Sequence, residues 1–146
     1  MDIHNIFLQA HRGFAYLELL LVAVFVIALI LAAASGKISK LLKKASLFTM
    51  IFFHIQFVVG IIMLLFTSPF TSIINEIGMG GLMKNSELRF TYIEHPFSML
   101  IAAVLMTIVN KKIKTSEKVS TGIIILSVVA LALFFFAFPF SRLFGA

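Results

Sequence analysis

His54, His95 and His11 are the residues of this chain best suited to chemistry, because each lies in or beside a long apolar run. An ionisable group is costly in such a run and needs a reason to be there. Imidazole binds metals through either ring nitrogen and also relays protons. Glu18 and Glu94 are the carboxylates in comparable positions, and they are the available proton acceptors. The chain has no cysteine, which excludes disulfides, thiolate catalysis, iron–sulfur clusters and covalent haem attachment through C-x-x-C-H.

Four apolar runs must position these groups: residues 13–35, 46–68, 92–110 and 119–140. Each is near the ~20 residues that a helix needs to cross a hydrocarbon core of ~30 Å. Hydrophobic residues make up 61% of the 146-residue chain and charged residues 12%, too little polarity to cover a water-soluble domain of this size. The composition predicts an all-α integral membrane four-helix bundle, one domain over 1–146, with both termini on the outer side. The first run is longer than the ~7–15 apolar residues of a signal peptide, and no Lys or Arg precedes it before Arg12. It is read as a retained span.

The net charge of +6 is distributed by topology. Lys37, Lys40, Lys43 and Lys44 fall in the first loop, and Lys111, Lys112, Lys114 and Lys118 in the third. An even-numbered bundle puts both loops on one side, which the positive-inside rule makes cytoplasmic. The expected location is a bacterial inner membrane, with the bilayer itself as first partner. No aromatic or Gly-rich RNA-binding pattern accompanies the lysines, so nucleic acid is not an expected partner. A homo-oligomer is compatible with the sequence.

Helix rise gives depths relative to the lysine loops. His54 is ten residues from Lys44, or ~15 Å in; His95 is sixteen from Lys111, or ~24 Å. Glu18 lies ~28 Å and His11 ~39 Å from Lys37 on the same scale. Arg12, Arg89 and Arg142 fall near the far rim. Polar groups thus become more frequent away from the lysines, and a site opening on the outer side is expected.

A b-type haem needs one or two imidazoles, apolar walls and cations for its propionates. His54 and His95 are the preferred axial pair and metal ligands, with His11 in reserve. Their nominal heights differ by ~9 Å, which helix tilt can partly absorb. Phe52, Phe53, Phe57, Met50, Met99 and Met106 are candidate walls, Gly60 can admit a flat ring, and Arg12 and Arg89 are candidate propionate partners. A metal ion held by His11, Glu18, Glu94 and His95 is the second option, without the short ligand spacing of known metal motifs. Each residue also has a plain structural reading: a polar side chain on a membrane helix often just hydrogen-bonds a neighbouring helix.

Three segments carry a resemblance: His11-Arg12-Gly13, then Phe53-His54-Ile55-Gln56 with Gly60, then Arg89-Phe90 followed by Glu94-His95. Together they resemble a small bacterial family of four-span proteins labelled cytochrome b-like. That resemblance implies haem b. Glu18 is a departure from the pattern. A more distant likeness is to the haem-containing membrane protoporphyrinogen oxidases, echoed by Arg89, Glu94 and Pro96, with His95 standing between the last two.

The expectation is therefore a b-type haem membrane protein that transfers electrons, with a quinone or a larger redox complex as partner. One alternative is an oxidoreductase acting on a porphyrinogen or quinone, with Glu18 or Glu94 in the catalytic role. The other is a cofactor-free subunit or assembly factor.

Overall fold

The computed structural model describes residues 2–144, without the side chains of Arg142 and Leu143, so the expected rim role of Arg142 lies outside the described residues. The described chain is helical throughout, with no strand. Helix α1 runs Ile3–Ser35, starting ten residues before the predicted span. Asp2 caps it by accepting from the His4 N–H, and Gly36 ends it in the left-handed conformation (φ 72°) that glycine adopts without strain. Helix α2 runs Lys40–Ile62 and is capped by the Ser39 side chain, so three of the first-loop lysines form its opening turns. It continues through a wide π turn, Met63–Thr67, up to Ser68-Pro69.

The glycine-rich segment between the second and third apolar runs is largely helical. Helix α3 covers Phe70–Lys84 and is broken only at Gly78 (φ 69°, ψ 170°). Asn85 then caps the short helix α4, Ser86–Arg89, accepting from the N–H groups of Glu87 and Leu88. A second π turn, Phe90–Glu94, leads into α5, His95–Thr115. Pro96 has no N–H and cannot continue the α-helical ladder from within. The wide turn just before it absorbs the defect, with the His95 N–H reaching back to the Phe90 carbonyl. Helix α6, Thr121–Ala137, and a short α7, Phe140–Phe144, complete the chain.

Among the described residues, three stretches are long and apolar enough to cross a membrane: Ile3–Ser35, Lys40–Thr67 and Ser86–Thr115. Helix α6 is a shorter apolar helix of 17 residues. Helix α2 packs against both α1 and α5, and α5 packs against α6. Small residues let the helices approach closely: Ala28 and Ala32 on α1, Ala102 and Ala103 on α5, Ala130 and Ala137 on α6 are all buried. Phe53 and Phe134 stack between α2 and α6 with ring centres 5.2 Å apart.

The exterior is the apolar face. Ile27, Ile30 and Leu31 are 57–61% exposed, whereas Glu18 on the same helix is 2% exposed. This inversion suits hydrocarbon surroundings, where aliphatic side chains cost nothing outside and a carboxyl group does.

One end of the bundle is tied together. Lys37 and Lys118 form an isolated antiparallel bridge, and the Ile38 N–H donates to the Glu117 carbonyl at 3.0 Å. The two lysine-bearing loops therefore meet at a single end. Nearby, the Ser46 hydroxyl donates to Asn110 Oδ1 at 3.0 Å, linking α2 to α5.

Phe53 is fully buried and faces a ring on another helix. Phe53→Ala is expected to destabilise the bundle by about 3 kcal/mol, the low end for a phenylalanine truncation, because lipid solvates apolar surface nearly as well as the core does. Reversible unfolding in mixed micelles measures this.

Candidate functional site

The buried positions on each helix recur every three or four residues. On α2 they are Leu42, Ala45, Ser46, Thr49, Phe53 and Gln56. On α1 they include Ala15, Glu18, Val22 and Phe25, and on α5 Met99, Ala102, Met106 and Val109. Extending those stripes one more turn gives His11 on α1, Gly60 on α2 and His95 on α5. These groups converge because each continues the inward face of its helix.

They line a cavity of about 310 Å³ between the helices. Glu18 and Gln56 lie at its deep end, and Phe57, Met99, Phe134 and Phe138 form apolar walls. Ser68, Pro69 and Pro139 also line it, and none of the eight loop lysines does, so the cavity occupies the end away from them.

His11 and His95 face each other across this space, with ring centres 6.1 Å apart and ring planes at 76°. His95 Nδ1 lies 2.7 Å from the Ala137 carbonyl oxygen. A carbonyl only accepts, so Nδ1 carries the proton, and in the neutral ring Nε2 keeps the lone pair. The ring is thereby fixed in tautomer and direction by α6. The His11 ring sits over Gly60, where an added Cβ would lie 3.5 Å from its Cε1. Gln56 Nε2 donates to the His11 carbonyl at 3.0 Å.

His54 is elsewhere. Its side chain is on the exposed face of α2, with Nδ1 2.8 Å from the Met50 carbonyl and Nε2 3.3 Å from Thr107 Oγ1. It does not line the cavity, and neither do Met50, Phe52, Phe53 or Met106. Arg89 is engaged by Glu94 (Nε to Oε1, 2.7 Å) and donates to the Met83 carbonyl at 2.8 Å. Both members of that ion pair are about a third exposed and outside the cavity lining. Arg12 does line the cavity, half-buried, and has no hydrogen bond or ion pair among the described residues. Of the residues expected to act together, the fold thus gathers His11, Arg12, Glu18 and His95, and leaves out His54, Arg89 and Glu94.

Gln56, His4 and Tyr92 were given no site role by sequence reasoning, yet all three line the cavity. For Gln56 a signal was available. At about 100° per residue, His54 and Gln56 point about 200° apart, so only one of them can face inward. The in-phase neighbours Phe53 and Gly60 select Gln56.

No group of three or more His, Asp or Glu side chains suited to a bare metal ion is present among the described residues. Comparisons of the chain with protein-family models, curated proteins and solved structures gave no match.

The contact between Gly60 and His11 is of ordinary van der Waals length. Gly60→Ala is therefore expected to leave the pair in place, whereas Gly60→Leu displaces the His11 ring. Histidine side-chain NMR reads this as a shift in the His11 resonances with those of His54 unchanged.

Proposed function

We propose that the cavity holds a b-type haem between His11 and His95, and that the protein transfers electrons in a membrane. The observation that supports this reading is the facing imidazole pair. Two imidazoles bound on opposite sides of one metal, with bonds of about 2 Å, hold their ring centres roughly 6 Å apart. The observed separation is 6.1 Å. Each ring plane contains the bond axis in such a complex, so planes at 76° are compatible with it. Two protein ligands suffice only for a metal that brings its other ligands with it, as a porphyrin does.

The remaining residues fit the same group. Phe57, Met99, Phe134 and Phe138 offer apolar walls, and Arg12 offers a cation at the rim that no carboxylate of the described chain engages. Its planar fork is suited to grip a propionate. At about 310 Å³ the space is at the small end for cofactor cavities.

A bound haem supplies one-electron chemistry; the chain supplies its placement. His95 is oriented by the Ala137 carbonyl, His11 approaches from α1 over Gly60, and the phenylalanines would keep water from the ring nitrogens that hold the group. Two groups are bonded elsewhere, His54 to Met50 and Thr107, and Arg89 to Glu94. The residues that would hold the haem are therefore His11 and His95 rather than His54 and His95.

In this reading α6 is the fourth span, the lysine loops are cytoplasmic and both termini are outside. The positive-inside rule supports that orientation, and the meeting of the two lysine loops agrees with it. The haem then lies in the outer half, facing a quinol or a protein donor and acceptor. The absence of native cysteine makes the orientation simple to check. A cysteine at Lys44 or Lys118 should react with a membrane-impermeant maleimide only after the cytoplasmic face is opened; labelling in intact cells refutes the orientation.

Haem binding is tested optically. Protein purified from haem-replete cells should give Soret and α bands in the reduced-minus-oxidised spectrum, with the pattern of two nitrogen ligands. His11→Ala and His95→Ala should each lose that pattern, and His54→Ala should keep it. A wild-type protein without haem, or loss of the pattern only with His54→Ala, refutes the reading.

A further inference from the structure

Three buried polar atoms near the deep end of the cavity have no hydrogen-bond partner among the described residues: His11 Nδ1, Gln56 Oε1 and Glu18 Oε1. Glu18 and Gln56 are 2% and 3% exposed, so water does not satisfy them from outside. Orphaned groups of this kind are costly, and natural proteins rarely keep them without a use. The Gln56 amide faces both the His11 ring and the Glu18 carboxyl group.

The chemistry of these groups is complementary. Gln56 Nε2 has two N–H groups, one of which donates to the His11 carbonyl at 3.0 Å. Its second N–H is matched by the Glu18 carboxyl oxygens. Its Oε1 can only accept, and the neighbouring His11 Nδ1 is able to donate. One amide can therefore hold both the backbone and the ring of His11.

We propose that Gln56 is the positioning residue for His11: its Oε1 takes the Nδ1 proton, leaving Nε2 as the nitrogen presented to the cavity, and Glu18 locks the amide in that orientation. This rests on the bis-imidazole reading of the cavity. The arrangement parallels His95, whose Nδ1–H is held by the Ala137 carbonyl. The two ligands differ in one respect. The partner of His95 belongs to the backbone and is fixed, whereas the partner of His11 is a side chain that substitution can alter.

The hydrogen bond from Nδ1 makes an imidazole a more basic ligand and favours the oxidised iron. Gln56→Leu removes the acceptor. It should weaken haem binding by about 10–100-fold, as outer-sphere losses commonly do, and move the midpoint potential to a more positive value. His54→Ala, outside the cavity, should retain wild-type affinity and potential. Gln56→Glu keeps an acceptor for Nδ1 and strengthens it when ionised, so it should hold haem with a more negative potential. Where Gln56→Leu fails to fold, Gln56→Glu carries the test.

Haem titration and redox potentiometry on the membrane-extracted full chain provide both readouts. A haem-loaded wild type whose Gln56→Leu or Gln56→Glu counterpart has the same affinity and potential overturns the Gln56 assignment alone. A wild type that takes up no haem overturns the reading of the cavity, a result distinguishable from the first at the opening titration.

Discussion

Hydrocarbon offers no hydrogen bonds, so every polar side chain on a membrane helix must find its partner on its own helix or inside the bundle. The arrangement of this chain follows from that constraint. Thr49 and Gln56 reach backbone carbonyls of α1, and Ser46 reaches Asn110 of α5. These bonds set the rotation of α2 about its axis. Once α2 is fixed, Phe53 must meet Phe134, and Gly60 must lie under His11. His54 obeys the same constraint by bonding along the surface, to Met50 on its own helix and Thr107 on the next.

The two ends of the bundle solve different problems. At the lysine end, a backbone bridge and the Ser46–Asn110 bond draw α1, α2, α5 and α6 close together, and the fully buried Leu42, Ile113 and Ile123 fill the space between them. At the other end two π turns, at Met63–Thr67 and Phe90–Glu94, widen α2 and the entry to α5. Packing efficiency is given up there, and the cavity is what results. Wide turns of this kind tend to occur where a protein binds something.

Much of this was legible in the sequence. The four apolar runs and the two lysine loops follow from composition and spacing, and the clustering of polar groups away from the lysines follows from simple helix rise. Depth along the axis was the quantity that sequence delivered. Rotation about the axis depends on which buried positions share a phase. Height favours His54 over His11, whereas the Leu42–Thr49–Phe53–Gln56 phase turns His54 outward. Arg89 and Glu94 were hidden for a different reason. Their pairing depends on a departure from α-helical geometry that no hydrophobic period records.

That departure has a geometric consequence. Arg89 and Glu94 are five residues apart, and on an ordinary α-helix such side chains diverge by about 140°. The Phe90–Glu94 turn holds five residues within a single backbone ring, which brings the two ends of the interval into line. The ion pair and the wide turn are therefore one mechanical object, a clasp around one surplus residue. Were the clasp to open and the helix to tighten by that residue, everything before it would rotate by about 100° relative to His95. The short helices α3 and α4 thus join α5 through an offset of one residue that the Arg89–Glu94 pair holds in place.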